Sequence, residues 1–305
     1  MLARISGKIR LTAEDLAVNG IAIIIATFVL IVTVYPIYYS AIYSFSDGQA
    51  ALAKQIYFFP VQPTLENYKI VFSDSMLINS YIIDILRTIV ATVTSVFFTA
   101  MTAYGLTRKE LRGRRIYSLI AIFTMYFSGG LIPNFLLLKS LHLINTFWVY
   151  ILPSLLSVYN MMLCMAFFRE VPESLVESAR LDGASEFFIF MRVMIPLSKP
   201  ILATIALFVG VGAWNDWFVS AYYIYDQKLM TLPTVLMRLV SATDAQQKMN
   251  AILQSSGVGA MGTRGPTPDA IRHATMLISI IPVMCVYPFL QKYFVKGVMV
   301  GAIKA

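Results

Sequence analysis

The sequence predicts an all-α, polytopic membrane protein: six transmembrane helices, both termini cytoplasmic, and a cytoplasmic helical elbow between spans four and five. Three observations predict it. Apolar runs of about twenty residues recur, the length needed to cross a hydrocarbon core about 30 Å thick. Of 305 residues, 58% are apolar and 13% charged, against about 45–50% and about 25% in soluble domains. Lys and Arg gather at the edges of these runs, more densely on alternate connections. That asymmetry sets orientation in a bilayer. Helices are expected because lipid offers no partner to an open strand edge.

Residues 1–16 read as a cytoplasmic N-terminal segment carrying Arg4, Lys8 and Arg10, and residues 17–305 as one transmembrane domain. The first span covers 17–45. It is too long for a secretory signal, and no small-residue cleavage site follows, so it reads as retained. Spans two to six are expected at 79–106, 116–138, 146–168, 200–225 and 274–293. Segment 107–115, with Arg108, Lys109, Arg112, Arg114 and Arg115, is the strongest cytoplasmic anchor. Loop 169–199 and the C-terminal end, with Lys292, Lys296 and Lys304, fall on the same side. Segments 46–78 and 226–272 are outer loops, and 255–268 is rich in Gly, Ser, Thr and Pro. Pro36, Pro133, Pro153, Pro282 and Pro288 predict kinks or breaks.

Several function classes are excluded. The net charge of +8 is explained by membrane orientation, so lipid rather than nucleic acid is the expected partner. Cys164 and Cys285 lie inside apolar runs, with no metal spacing and no disulfide framework. His142 and His273 are isolated. No phosphate-cradling G-x-x-x-x-G-K-[ST], no H-E-x-x-H and no G-x-S-x-G occurs. No catalytic residue, metal or cofactor is expected in this chain. The absence of an inverted repeat argues against a secondary transporter or channel, which stays the alternative.

The most informative segment is 171–200. Pro172 suits the start of a helix, and Glu173 complements its dipole. Leu175, Val176, Ala179 and Leu181 lie mostly on one stripe. Gly183 ends the helix in a left-handed cap. Ser185 caps a second helix over 186–194, whose aromatic face is Phe187, Phe188 and Phe190. Pro196 and Pro200 then lead into span five. Physically this is an amphipathic elbow, either lying on lipid or presented to a soluble partner.

Glu177, Ala179, Asp182, Gly183, Ala184, Phe190, Pro196 and Pro200 resemble the signature loop of permease subunits in binding-protein-dependent carbohydrate ABC importers. Ser178 and Val193 stand where that pattern usually has Ala and Ile. The motifs at 63–68, 79–80 and 103–108 extend the resemblance to sugar permeases over nearly the whole chain, and those at 127–133, 145–148 and 292–302 resemble one subgroup, for oligosaccharides and polysaccharide fragments such as alginate. The resemblance implies that the first elbow helix, with Glu173, Glu177, Ala179, Arg180, Asp182, Gly183 and Ala184, is a coupling helix seated on an ATPase, with Glu177, Arg180 and Asp182 facing it. It implies a second permease, an ATPase dimer that binds ATP and Mg, and an extracytoplasmic solute-binding protein. It also implies a bacterial inner-membrane location, and in the relatives the C-terminal tail reaches between the ATPase subunits.

Charge inside a bilayer costs about 2.5–3.5 kcal/mol on insertion scales. Asp84 and Arg87, three apart in span two, are expected to pair on one helical face, as a structural pair or a gate. Trp214, Asn215, Asp216 and Trp217 in span five combine flat aromatic faces with hydrogen-bonding groups. They read either as a solute-path lining or as an interfacial Trp belt beside a satisfied polar cluster. Gly129, Gly130 and Pro133 offer a kink in span three.

Overall fold

The computed structural model describes residues 13–54, 56–242 and 267–302. The N-terminal Arg4, Lys8 and Arg10, most of the Gly-rich outer loop and Lys304 lie outside the described residues. Among the described residues the chain is helical, with one isolated bridge between Ser46 and Pro63 and no strand.

Two compact units form. The first comprises the described residues up to 68 together with 267–277. Its main element is α1, Ala13–Ser44. The apolar residues of α1 from Ile21 to Val34 are exposed, as expected for a helix whose solvent is lipid. A short helix α2, Gly48–Ala53, is capped by Asp47, whose carboxylate accepts from Gln49 N and Ala50 N. Buried Asn67, at the start of α3 (Glu66–Ser73), donates to the carbonyls of Ser44 at 2.8 Å and Ser46 at 2.9 Å. Ile42, Tyr43, Ala51, Ile56 and Ala270 form its small core.

The second unit comprises, of the described residues, 69–242 and 278–302. Its axis is α4, Ser75–Thr107, capped by Asp74 through Met76 N and Leu77 N. Next come α5, Arg114–Tyr126, and α6, Leu131–Ser140. Two 3₁₀ turns over Phe147–Ser154 precede α7, Val158–Phe168. The elbow holds α8, Glu173–Leu181, α9, Glu186–Ile189, a π-helical turn over Phe190–Met194, and α10, Ile195–Leu197. Then follow α11, Lys199–Asn215, α12, Phe218–Tyr223, and α13, Leu232–Ala242. The last helix, α14, runs Pro268–Ala302 through both units. The unit's core joins Ala100, Ala103 and Tyr104 of α4, Met161, Cys164 and Phe168 of α7, Val176 of α8, and Phe190, Met194 and Ile205.

Residues 17–44 of α1, all of α4, and 268–286 of α14 are long and apolar enough to cross a membrane. Three bent pairs also pass on length and composition: α5 with α6, the 3₁₀ turns with α7, and the elbow segment Glu186–Leu197 with α11, the last bent through 84°. The expected continuous span 116–138 breaks between α5 and α6 through 119°. Gly130 there has φ 83 and ψ −175, a region open essentially only to glycine. The expected span 146–168 starts as 3₁₀ turns around Pro153 and bends by 45° before α7. The expected span 200–225 stops at Asn215 and resumes at Phe218. α4 also starts inside the expected outer loop 46–78, at Ser75.

Candidate functional site

The elbow is built as its punctuation predicts, with two differences. Pro172 stands at the N-cap of α8 and Glu173 in its first turn. Gly183 adopts φ +80, a conformation L-residues pay to enter. Its N–H reaches Arg180 O, while Ala184 N reaches Ala179 O, closing the helix end. Ser185 Oγ accepts from Phe188 N at 3.3 Å.

The first difference is in the second helix, which is not α-helical over 186–194. Pro196 has no N–H, so an i to i+4 ladder cannot run through it. Ile195 N reaches back to Phe190 O instead, and the wider turn results. Phe190 and Met194 are both buried in the core.

The second difference is the apolar stripe of α8. Val176 is 2% exposed and Ala179 half-buried, but Leu175 is exposed and Leu181 is 89% exposed. At about 100° per residue, Leu181 falls roughly 140° round the helix from Val176. The helix therefore rests on the unit by one narrow edge.

Charged residues then key α8 to the end of α4 and the linker after it. Arg180 Nη1 donates to Glu110 Oε1 at 2.5 Å, and Arg180 Nε to Glu186 Oε1 at 2.7 Å. The other Glu186 oxygen accepts from the Tyr104 hydroxyl at 2.6 Å. Lys109 Nζ meets Glu173 Oε2 at 2.7 Å, and the Arg108 guanidinium lies 4.6 Å from the Tyr104 ring centre. The Arg180 hydrogen bond holds the Glu110 carboxyl below the usual range. Lys109 does the same to Glu173, and Glu110 followed by Glu186 raise the Arg180 pKa. Arg180, expected to face outward with Glu177 and Asp182, is thus engaged within the chain; Glu177 and Asp182 are exposed. Beside this network lies a cavity of about 580 Å³, lined by Tyr104, Arg108, Glu110, Arg180 and Phe187 among others. In the sequence Lys109 and Glu110 read only as part of a charged anchor. Their partners are 64 and 70 residues away, a separation that carries no local signal.

Within the apolar region the expected Asp84–Arg87 pair is not formed. Arg87 Nη1 donates to Asp216 O at 2.8 Å, and Nη2 pairs with the Asp216 carboxylate. The guanidinium lies 4.5 Å from the Tyr150 ring centre. Tertiary packing brings Asp216 to Arg87, and a partner on another element satisfies two guanidinium nitrogens at once. Asp216 Oδ1 also caps α12, accepting from Phe218 N at 2.9 Å and Val219 N at 3.2 Å.

The four span-five candidates divide. Trp214 is buried, its indole N–H donating to Ser279 O at 3.1 Å and its ring edge-on to Tyr81. Asp216 is occupied as described. Asn215 is exposed and donates to Val211 O of its own helix, and Trp217 is 38% exposed. Asn215, Trp214 and Asp84 line a cavity of about 210 Å³. Asn145, which stands out in the sequence only within a motif, takes φ 59. Its Oδ1 accepts from Tyr225 N at 3.1 Å and Asp226 N at 2.8 Å, fastening the chain after α12. Among the described residues no group of His, Cys, Asp and Glu could hold a metal.

Long apolar helices, bent helix pairs and a charged elbow tied to the end of α4 together define a helical membrane component. The chain belongs to the family of binding-protein-dependent transport system inner membrane components, whose family model matches residues 95–300. It is a permease subunit of the cytoplasmic membrane, and in such systems separate subunits hydrolyse ATP. Protein LplC of Bacillus subtilis is 39% identical over 273 residues, 90% of either chain. The polygalacturonan/rhamnogalacturonan transport system permease protein YtcP of the same organism is 33% identical, covering 95% of this chain and 98% of that one. A solved bacterial ABC transporter involved in the import of the acidic polysaccharide alginate contains a chain 30% identical to this one. Its TM-score is 0.83, with 93% of this chain and 98% of that chain covered.

Proposed function

We propose that this chain is one of two paired permeases in an ABC importer for an oligosaccharide or polysaccharide fragment. Its partners are a second permease, an ATPase dimer holding ATP and Mg, and an extracytoplasmic solute-binding protein. On this reading α5 with α6, the 3₁₀ turns with α7, and α11 with α12 each count as one span, giving six with α1, α4 and α14, and both termini are cytoplasmic. Residues 169–199 are the coupling loop, and 46–78 and 226–272 face the binding protein. The relatives' names carry the solute class: polygalacturonan and rhamnogalacturonan, arabinooligosaccharides, galactooligosaccharides and alginate.

The observation that carries the coupling role is the elbow itself. α8 presents Glu177, Leu181 and Asp182 outward while Val176, Arg180 and Glu173 fix it to the unit. An exposed leucine flanked by carboxylates at the tip of a keyed knob suits a cleft on a soluble partner. Closure of the ATPase dimer on ATP would push the knob, and the continuous chain through α9 and α10 would pass that displacement to α11. The protein's part is mechanical linkage between two states of a helix bundle. Solute contacts belong to Asn215 and Trp217 in preference to Trp214 and Asp216, which are engaged internally.

The test is cross-linking from single cysteines along 173–184 in the assembled transporter. Adducts to the ATPase subunit from positions 177, 181 and 182, with few from buried position 176, are the expected result. Adducts to lipid alone would overturn the coupling assignment.

A further inference from the structure

Around Arg87 there are two carboxylates for one guanidinium. Asp216 holds it now. Asp84, one turn away on the same helix, is fully buried, and both of its oxygens lack a hydrogen-bond partner, as does Arg87 Nε. A buried carboxylate with no donor is strongly disfavoured. The i, i+3 spacing places it where the Arg87 side chain can reach by rotation about its own bonds. Asp216 belongs to a different element, the break between α11 and α12. α11 is also the helix into which the elbow feeds.

We propose that Arg87 is a two-position switch: it pairs with Asp216 when α11 lies as in this structure, and with Asp84 when α11 is displaced relative to α4. Asp84 and Arg87 are then positioning residues for transport. The proposal rests on the permease reading and says how span two registers the movement of span five. Exchange of one carboxylate for the other means that Arg87 is never a buried unpaired cation, the costly case for an ion pair. A pair with two discrete arrangements converts a push on α11 into two states instead of a continuum. Tyr150, beneath the guanidinium, gives it an aromatic face to pivot over.

The experiment uses cysteines at Thr92 and Gly210, which face each other across α4 and α11. A Cβ at Gly210 would lie 3.3 Å from Thr92 Oγ1. Native Cys164 and Cys285 are replaced by Ala. Disulfide yield is measured in membranes and in the assembled transporter, without nucleotide and after trapping with ATP and vanadate. Asp84→Asn removes the alternative negative charge and should fix the yield high in every condition. Asp216→Asn keeps the Oδ1 cap of α12 but removes the competing charge, and should lower the yield severalfold. With both carboxylates present the yield should change with nucleotide. Equal yields from D84N and D216N, or an unchanged nucleotide response in D84N, overturn the switch; Asp84→Ala repeats the first arm with a smaller side chain. Co-purification of an ATPase subunit scores the permease reading separately, because the comparison of D84N with D216N in membranes needs no partner.

Discussion

Arg180 and Glu110 are 70 residues apart in sequence, and their side chains meet at 2.5 Å. This contact ties the short helix α8 to the linker that follows α4, so a displacement of α8 enters the bundle at two places. The pair is partly exposed, 33% and 60% at the two side chains, and exposed ion pairs contribute about 0–1 kcal/mol. Arg180→Gln should therefore shift the melting temperature little. It should lower solute uptake per ATP hydrolysed in the reconstituted transporter. A melting temperature that fell steeply, with coupling intact, would show the pair to be merely structural.

The same contacts predict a pH response. Arg180 lowers the Glu110 pKa and Lys109 lowers that of Glu173. A carboxyl with a depressed folded pKa stabilises the fold above its unfolded value and loses that contribution as pH falls through the folded one. The α8 attachment should thus hold at neutral pH and weaken only below the ordinary glutamate range of about 4.3. Amide exchange of residues 173–184 measures it; loss of protection already between pH 8 and 6, taken as rough bounds of that neutral window, would contradict it.

Two glycines should differ in what they tolerate. Gly183 has φ +80 and open space on the side where a Cβ would project, with no atom within 4 Å, so only backbone strain opposes substitution. Gly183→Asn should cost little and Gly183→Ala about 1–2 kcal/mol. Gly130, with ψ −175, lies outside the left-handed basin that Asn can use. Gly130→Ala and Gly130→Asn should both cost about 1–3 kcal/mol. Thermal unfolding of the detergent-solubilised chain ranks them.

Leu181 and Phe190, nine positions apart, should behave in opposite ways. Phe190 is 1% exposed, and Phe190→Ala should destabilise by about 3–5 kcal/mol through the cavity it leaves. Leu181 is 89% exposed. Leu181→Ala should leave unfolding unchanged and reduce the amount of ATPase that co-purifies. Full retention of the ATPase would remove Leu181 from the proposed contact.

The solvent, the helical class and the elbow were legible in the amino-acid order alone. They follow from composition, from run length and from punctuation by Pro172, Gly183, Ser185 and Pro196, all of which act within a few residues. Helix bounds were legible to a few positions for α1 and α4, whose apolar runs are long and continuous enough to cross a membrane as single helices. Which charges meet was settled by the packing of the helices. Asp84 and Arg87 satisfy the local spacing rule, yet Arg87 is held by Asp216, 129 residues on. Arg180, which the resemblance turns outward, is taken by Glu110 and Glu186. Helix spacing fixes which residues share a face. Which face a distant residue approaches depends on how the bundle closes, and a buried or half-buried charge goes to whatever partner that closure supplies.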